Sequence, residues 1–163
     1  MKDPGNRTDV DIGQPPLLAY IPCGCQNRER VSDTLQETIL VVDDEPTVLN
    51  LCRVILTRGG YRVLEAANGV DALRVSQSAG TPINLALLDV MMPGMNGFDV
   101  AKQLRFLRPA PAILLMSGYS VNEVRNVAGG ENPYRVVWKP FKADSLLRMI
   151  QTMLDNSGRE NPT

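Results

Sequence analysis

The sequence predicts an α/β protein with a doubly wound, five-stranded parallel sheet and helices on both faces. Short apolar runs rich in β-branched residues alternate, five times in series, with stretches whose apolar residues recur at helical spacing. The central runs are apolar at every position, which is typical of strands that are covered on both faces. Because β-α units in series build parallel sheets, these two observations define the fold class.

The first β-α unit begins with an apolar run at residues 39–42, which ends at Asp43 and Asp44. This run is predicted to be a strand buried on both faces. Pro46 suits the first turn of the following helix, and the glycine pair at residues 59–60 ends it. The apolar face of that helix is predicted to hold Val48, Cys52, Ile55 and Leu56.

The second and third units repeat the pattern. Residues 62–66 are predicted to form the second strand, and the Asn-Gly pair at residues 68–69 begins the second helix. Residues 84–89 form the predicted third strand, and residues 97–107 the third helix, which ends near Pro109. The predicted buried side chains are Val70, Leu73 and Val75 of the second helix and Phe98, Ala101 and Leu104 of the third.

The last two units complete the predicted domain. Residues 112–116 form the fourth strand, which ends at Ser117. Ser120 and Glu123 have the spacing of a capping box, which predicts the start of a short fourth helix. Residues 135–138 form the fifth strand. The final helix is predicted to be lined by Leu146, Leu147, Ile150 and Leu154.

The chain is predicted to contain one folded domain between two tails. Residues 1–37 contain proline, glycine, asparagine and scattered charge without a sustained period, so they are expected to form a disordered N-terminal arm that is dispensable for folding. Residues 38–156 are the predicted domain. Residues 157–163 are polar and are expected to form a disordered C-terminal tail.

The composition excludes several functional classes. The net charge of −1 over 163 residues offers no broad electrostatic footprint for nucleic acid. No apolar run approaches the roughly 20 residues that a membrane-spanning helix needs, so no membrane partner is expected. Three cysteines are an odd and small number, which argues against a disulfide framework and favours a cytoplasmic location.

The chain has no histidine. This excludes Ser-His-Asp and Cys-His catalytic centres, histidine metal ligands and a phosphohistidine on this chain. Cys23 and Cys25 lack the further ligands that a zinc site needs, and their role stays open. Any polar chemistry must therefore depend on carboxylates, hydroxyls and lysine.

Polar side chains stand where four of the predicted strands end. They are Asp43 and Asp44 after the first strand, Asp89 at the end of the third, Ser117 after the fourth and Lys139 after the fifth. Each has an ordinary alternative when taken alone: a helix cap for the aspartate pair, a turn for the next two, and a solvated lysine. Together they fall at the edge where open parallel sheets bind ligands, so we expect them to converge on one pocket.

The chemistry of that pocket follows from its residue types. Three carboxylates close together repel one another and are best accommodated by a hard cation with oxygen ligands, for which Mg²⁺ is the expected choice. A lysine and a hydroxyl beside them suit a phosphoryl group, since the lysine supplies charge and the hydroxyl a hydrogen bond. The sequence therefore predicts a site for a magnesium ion and a phosphoryl group.

The sequence resembles the receiver domain of bacterial two-component response regulators over about residues 39–154. The matching segments are Val41-Val-Asp-Asp44, Leu87-Leu-Asp-Val-Met-Met-Pro-Gly-Met-Asn-Gly97, Met116-Ser-Gly118 and Lys139-Pro-Phe141. The aspartate that precedes Pro-Gly-x-Asn-Gly, with Lys-Pro-Phe following much later, is the specific part of the match. The resemblance implies the flavodoxin-like strand order 2-1-3-4-5.

The resemblance also implies the chemistry of the acceptor. Asp89 would take a phosphoryl group from a phosphohistidine on a sensor histidine kinase or a histidine phosphotransfer protein. The implied Mg²⁺ ligands are Asp43, Asp44, Asp89 and the backbone carbonyl of Met91. The chain would catalyse only its own phosphorylation and dephosphorylation, and so would not be an enzyme with turnover.

The remaining site residues have implied roles in binding and switching. Ser117 and Lys139 would each bind a phosphoryl oxygen, and Pro140 would follow a cis peptide bond. Recruitment of the Ser117 hydroxyl would draw the following loop inward and so bias a two-state surface.

Two features concern the output and the lifetime of the signal. Receivers usually carry an aromatic residue three positions before the lysine, but here that position is Val136, and Tyr134 and Trp138 do not replace it cleanly. In receivers, the side chains two residues after the aspartate and two residues after the hydroxyl residue lie beside the path of a hydrolytic water, and the resemblance assigns these positions to Met91 and Tyr119. Neither side chain is an acid or an amide, so slow loss of the phosphoryl group is expected.

Three interpretations of the whole protein remain. The leading one is a stand-alone receiver that acts on a protein partner and does not bind DNA directly, because neither tail could hold an output domain. A magnesium-dependent phosphatase would need an aspartate as general acid at the position of Met91. A receiver-like adaptor that is not phosphorylated would be expected to lack part of the acid, hydroxyl and lysine set.

Overall fold

Five strands alternate with five helices along residues 36–157, the part of the chain that the computed structural model describes. The elements are β1 Thr38–Val42, α1 Pro46–Arg58, β2 Arg62–Ala66, α2 Gly69–Ser78, β3 Leu85–Asp89, α3 Gly97–Leu104, β4 Ala112–Ser117, α4 Val121–Ala128, β5 Arg135–Trp138 and α5 Ala143–Ser157. The described residues all belong to one compact unit. The predicted C-terminal tail lies almost entirely outside them, as do residues 1–35 of the predicted arm.

The strands form one parallel sheet in the order β2-β1-β3-β4-β5. The order reverses beside β1, which pairs with β2 on one side and with β3 on the other. Each crossover passes through a helix, as parallel neighbours require. The predicted fold class and strand order are therefore confirmed.

The sheet separates two hydrophobic cores. One core lies against α1 and α5, and the other against α2, α3 and α4. Successive side chains of β3 alternate between them: Leu85 and Leu87 enter the first core, while Ala86 and Leu88 enter the second. All five residues of β1 and of β3 are buried, which explains why these strands are apolar throughout rather than alternating.

One predicted core position in α2 is wrong. Val70 is 67% exposed, and the buried residues of this helix are Gly69 and Ala72. Val70 lies about 200° around the helix from Ala72, so the two cannot share a face. A Cβ atom at Gly69 would lie 2.8 Å from the side chain of Met95, so α2 approaches the start of α3 through small residues.

The domain extends slightly further toward the N-terminus than predicted from the sequence. The side-chain amide of Gln36 donates to the Gly60 carbonyl at 2.8 Å, and Arg62 N–H donates to the Glu37 carbonyl at 2.9 Å. The last two residues of the predicted arm are thus bonded to the domain. Within residues 36–157, no helix combines the length and hydropathy needed to cross a bilayer.

Candidate functional site

The carboxyl ends of β1, β3, β4 and β5 bring polar residues to one edge of the sheet. Asp89 and Ser117 are the last residues of β3 and β4, while Asp43 and Lys139 directly follow β1 and β5. Asp43, Asp89 and Ser117 are buried, which is unusual for their residue types and indicates that the surrounding protein satisfies them. The strand ends therefore converge as expected.

Lys139 joins the two buried aspartates. Its Nζ atom lies 2.6 Å from Asp43 Oδ2 and 2.6 Å from Asp89 Oδ1. The side chain of Lys139 is only 22% exposed, so the three charges interact in a partly desolvated environment where Coulomb forces are weakly screened. One ammonium thus neutralises part of the charge that the two carboxylates bring into the protein.

Burial and pairing shift the pKa values of this group in identifiable directions. Burial raises the pKa of Asp89 above its usual range, although the hydrogen bond and charge of Lys139 oppose that rise. Burial alone would lower the pKa of Lys139, but the hydrogen bonds to Asp43 and Asp89, together with the charges of these carboxylates, outweigh burial and raise it. Lys139 is therefore a cation throughout the physiological pH range.

The second oxygen of each aspartate is held by a backbone amide. Glu45 N–H donates to Asp43 Oδ1, and Met91 N–H donates to Asp89 Oδ2, each at 2.9 Å. In each case the side-chain oxygen accepts from the N–H two residues further along the chain, which is the Asx turn that aspartate favours. Both carboxylates are consequently oriented before any ligand arrives.

The cleft above this group contains most of the other predicted residues. It is lined by Asp43, Asp44, Glu45, Pro46, Asp89, Met91, Gly118, Tyr119 and Lys139. Ser117 is buried and does not line the cleft, whereas the two residues that follow it, Gly118 and Tyr119, do. Its hydroxyl oxygen accepts a hydrogen bond from Tyr119 N–H at 3.0 Å, and its carbonyl accepts one from Lys139 N–H at 2.7 Å.

Gly97 packs against the end of β3, a role that the sequence did not reveal. A Cβ atom at this position would lie 2.3 Å from the Asp89 carbonyl oxygen and 3.3 Å from Val90 Cα. Asn96 caps α3 by accepting from Asp99 N–H, so the helix begins directly against the end of β3. The Asn-Gly pair was visible as part of the motif, but the backbone approach that demands glycine was not.

We expect Gly97→Ala to destabilise the domain by about 1–3 kcal/mol, because the new methyl group meets backbone that cannot rotate away. The measurement is urea denaturation followed by circular dichroism. Gly118→Ala is the matched control, since a Cβ atom there meets nothing within 4 Å. Equal stability of the two variants would show that α3 can shift away from Asp89 at little cost.

The residues expected to act in switching lie around the fifth strand. The Lys139–Pro140 peptide bond is cis. Val136 is half-buried and packs on the core beneath α4. Tyr134 packs on the same core, with its ring centroid 6.3 Å from that of Phe98. Trp138 is 41% exposed and lines a shallow groove with residues of α4.

The donor atoms of the cleft fit a hard cation, although they are not already arranged around one. Asp44 is exposed and forms no hydrogen bond or ion pair within residues 36–157, so its carboxylate is available. Asp43 and Asp89 are occupied by Lys139, and no three acidic residues in the described part of the chain surround a common point. A divalent cation would therefore share these two aspartates with the ammonium group.

The chain belongs to the family of response regulator receiver domains, whose model matches residues 39–151. The fold and the arrangement of the strand-end residues agree with that membership. The resemblance that the motifs indicated is thus confirmed, together with a place in two-component signalling.

Individual relatives and solved structures are similar to this chain. The transcriptional regulatory protein ResD of Bacillus subtilis is 35% identical over 125 residues, which are 76% of this chain and 50% of ResD. The DNA-binding response regulator MtrA of Mycolicibacterium smegmatis is 33% identical over 75% of this chain and 52% of MtrA. A crystal structure of the response regulator TrrA from Thermotoga maritima in complex with Mg²⁺-BeF is 30% identical. Its TM-score is 0.60, and the match covers 72% of this chain and 99% of TrrA.

These relatives overturn the expectation that the protein does not bind DNA directly. ResD is a transcriptional regulator and MtrA a DNA-binding one, and the chain spans about half the length of such relatives. The expectation was wrong because it judged the output from the lengths of the two tails and from the net charge. Neither quantity describes the part of the relatives that lies beyond the match.

Proposed function

We propose that this domain is a phospho-acceptor, in which Asp89 receives a phosphoryl group from a phosphohistidine on a partner protein with the help of Mg²⁺. The observation that supports this most directly is the ammonium group of Lys139, held 2.6 Å from both Asp43 and Asp89 at the edge of the sheet. A half-buried lysine shared by two buried carboxylates has no evident purpose in packing. It does provide a fixed positive charge where a phosphoryl group would be added.

The transfer itself is a simple exchange of bonds. A carboxylate oxygen of Asp89 attacks phosphorus, the bond from phosphorus to the imidazole nitrogen breaks, and the histidine leaves with the electron pair. Lys139 neutralises charge on the group during transfer, and Met91 N–H holds the carboxylate in place. Catalysis by these residues is mainly positioning and electrostatic stabilisation.

Asp43, Asp44, Asp89 and the backbone carbonyl of Met91 are the groups that would hold the metal ion. When bound, Mg²⁺ supplies additional positive charge for the oxygens of the transferring group. The complex of TrrA with Mg²⁺-BeF supports this part of the proposal by family membership. The free carboxylate of Asp44 supports it within this chain.

Ser117 provides the switch that we propose. Its hydroxyl is buried and now accepts the hydrogen bond of Tyr119 N–H. To donate to a phosphoryl oxygen, the hydroxyl must reach the cleft, and Gly118 and Tyr119 must then move with it. Val136 offers no ring to follow this movement. Trp138, which is exposed, lies on the same face of β5 as Val136 and pairs in register with Ser117, so it is the aromatic side chain of β5 beside the change.

We propose that the switch controls a DNA-binding effector region and so regulates transcription, as the names of ResD and MtrA suggest. We also propose that the domain has no turnover as a phosphatase, because Met91 stands where that chemistry needs an acid. The proposed location is the cytoplasm. Cys52 is a free and buried thiol, which is ordinary for a core cysteine in a reducing compartment.

The test of the proposed function is incubation of the full chain with acetyl phosphate and Mg²⁺, followed by intact mass measurement. We expect an increase in mass that corresponds to one phosphoryl group. This increase should not occur when Mg²⁺ is chelated before acetyl phosphate is added. Steady-state turnover of a phosphomonoester, measured in parallel, would instead support the phosphatase alternative. No mass change under any condition would contradict the proposal.

The lifetime of the phosphoryl group is expected to depend on Met91 and Tyr119, which line the cleft above Asp89. Met91→Asn combined with Tyr119→Glu introduces groups that can orient a water molecule, so hydrolysis should accelerate about ten-fold, the effect of one to two hydrogen bonds. Affinity for Mg²⁺ should change little, because the implied ligand at Met91 is its backbone carbonyl. The measurement is decay of the phosphorylated mass after removal of acetyl phosphate, and unchanged decay would show that these side chains do not govern access of water.

A further inference from the structure

The thioether of Met91 stands apart from the other methionines of the described region. Its residue is 41% exposed, whereas Met92 is 8% exposed and Met116 is fully buried. Met95, Met149 and Met153 are half-buried and pack against one or other core. Met91 is therefore the methionine among residues 36–157 that an oxidant in solution reaches most readily.

The position of Met91 links its side chain to the acceptor. Its backbone N–H donates to Asp89 Oδ2 at 2.9 Å, and its residue lines the cleft together with Asp89, Tyr119 and Lys139. The side chain is consequently anchored two residues from the acceptor carboxylate. A change in its polarity would be felt where a hydrolytic water approaches.

We infer that Met91 is an oxidation site through which a peroxide shortens the lifetime of the phosphoryl group on Asp89. This inference rests on the proposed function. The step transfers one oxygen atom from hydrogen peroxide to the sulfur of Met91. Sulfur is oxidised by two electrons, the O–O bond of the peroxide breaks, and the second oxygen leaves as water with both protons.

Oxidation reverses the chemical character of the cleft at this point. The thioether is apolar and a weak acceptor, whereas the sulfoxide carries a strongly polar oxygen. That oxygen can accept a hydrogen bond from a water molecule and orient it toward phosphorus, as an amide at the same position would. The half-life of the phosphorylated protein is expected to fall about three- to ten-fold, the effect of one additional hydrogen bond.

The site is tested first by chemistry that needs no phosphorylation. The full chain is treated with limiting hydrogen peroxide, digested, and the sulfoxide at each methionine is quantified by peptide mass spectrometry. Met91 is expected to be oxidised several-fold faster than Met92, Met95, Met116, Met149 and Met153. Oxidation of Met149 or Met95 at the same rate as Met91 would contradict the assignment of Met91 as the preferred oxidation site.

The coupling is tested by the decay of the phosphorylated mass with and without prior peroxide treatment. Each variant is compared with its own untreated sample. Peroxide should shorten the half-life in the parent and in Met149→Leu, which removes a thioether on α5, but not in Met91→Leu. Equal shortening in Met91→Leu, or an unchanged half-life in a parent whose Met91 is oxidised, would overturn the coupling.

The two proposals can fail separately. If the untreated parent takes up no phosphoryl group, the proposed function is wrong, and so is the coupling that depends on it. The peptide map still decides whether Met91 is the oxidation site. If the untreated parent is phosphorylated and peroxide has no effect through Met91, only this inference is wrong.

Discussion

Asp89→Asn is expected to abolish phosphorylation by acetyl phosphate completely. The amide nitrogen and oxygen are poor nucleophiles. The neutral side chain also loses the ion pair that Asp89 forms with Lys139. Asparagine has nearly the same shape and can still accept from Met91 N–H, so the fold should be retained. The measurement is intact mass after incubation with acetyl phosphate and Mg²⁺, with circular dichroism as the check on folding.

Asp99→Asn is the matched control for this substitution. Asp99 lies in the first turn of α3, its side chain is 46% exposed, and its partner is the surface residue Lys102. This variant should be phosphorylated like the parent. Full phosphorylation of Asp89→Asn at another residue would refute the assignment of the acceptor, even if the domain still received phosphoryl groups.

Much of the fold follows from local patterns in the sequence. The apolar runs of β1 and β3 lie in the centre of a covered sheet, so their composition alone predicts buried parallel strands. The capping box of Ser120 and Glu123 is formed by both hydrogen bonds and begins α4 as predicted. Strand order is a long-range property that no local pattern contains, and it was available only through the family resemblance.

The features that the sequence predicted wrongly or did not reveal also have specific physical causes. Val70 was placed in the core because it satisfies helical spacing, but the buried face of α2 is centred on the small residues Gly69 and Ala72. The need for glycine at position 97 arises from its approach to the backbone of Asp89, which is distant by several residues and adjacent only in space. The output was misjudged because the tails of this chain do not describe the regions found in its relatives.

The site was predictable as a set of residues but not as a set of contacts. The ends of the predicted strands identify Asp43, Asp89, Ser117 and Lys139, because polar residues at the ends of buried strands are conspicuous. Nothing in their order along the chain shows that one ammonium group bridges two aspartates. Nor does it show that Ser117 points its hydroxyl toward a backbone amide instead of the cleft.

The ion pairs of Lys139 with Asp43 and Asp89 are expected to contribute strongly to the stability of the domain. Lys139→Met should lower the free energy of unfolding by about 2–4 kcal/mol when divalent cations are chelated. This is somewhat less than the roughly 3–5 kcal/mol typical of removing one partner from a fully buried ion pair, because the side chain of Lys139 is 22% exposed. Asp43 is 1% exposed and the side chain of Asp89 is 9% exposed, so neither can turn to solvent for compensation. Methionine preserves the length of the stem, and the backbone N–H of residue 139 still donates to Ser117, so the loss is mainly electrostatic. The measurement is urea denaturation at neutral pH.

Two comparisons isolate the cause of that loss. Lys142→Met removes an exposed lysine three residues further on and should change stability by less than about 0.5 kcal/mol. Adding Asp43→Asn to Lys139→Met relieves the repulsion between the carboxylates and should recover part of the stability. Equal stability of Lys139→Met and Lys142→Met would show that the ammonium does not hold the two aspartates in solution.

Magnesium should act more strongly on the variant than on the parent. In the parent, a cation entering the cleft must share Asp43 and Asp89 with Lys139, whereas in Lys139→Met both carboxylates are unpaired. A ligand that binds only the folded state stabilises it in proportion to the logarithm of its concentration relative to Kd. We therefore expect Mg²⁺ to raise the unfolding free energy of Lys139→Met more than that of the parent, at equal total concentration. A smaller gain in the variant would mean that the lysine and the metal do not compete for the same oxygens, and that the cation binds elsewhere in the cleft.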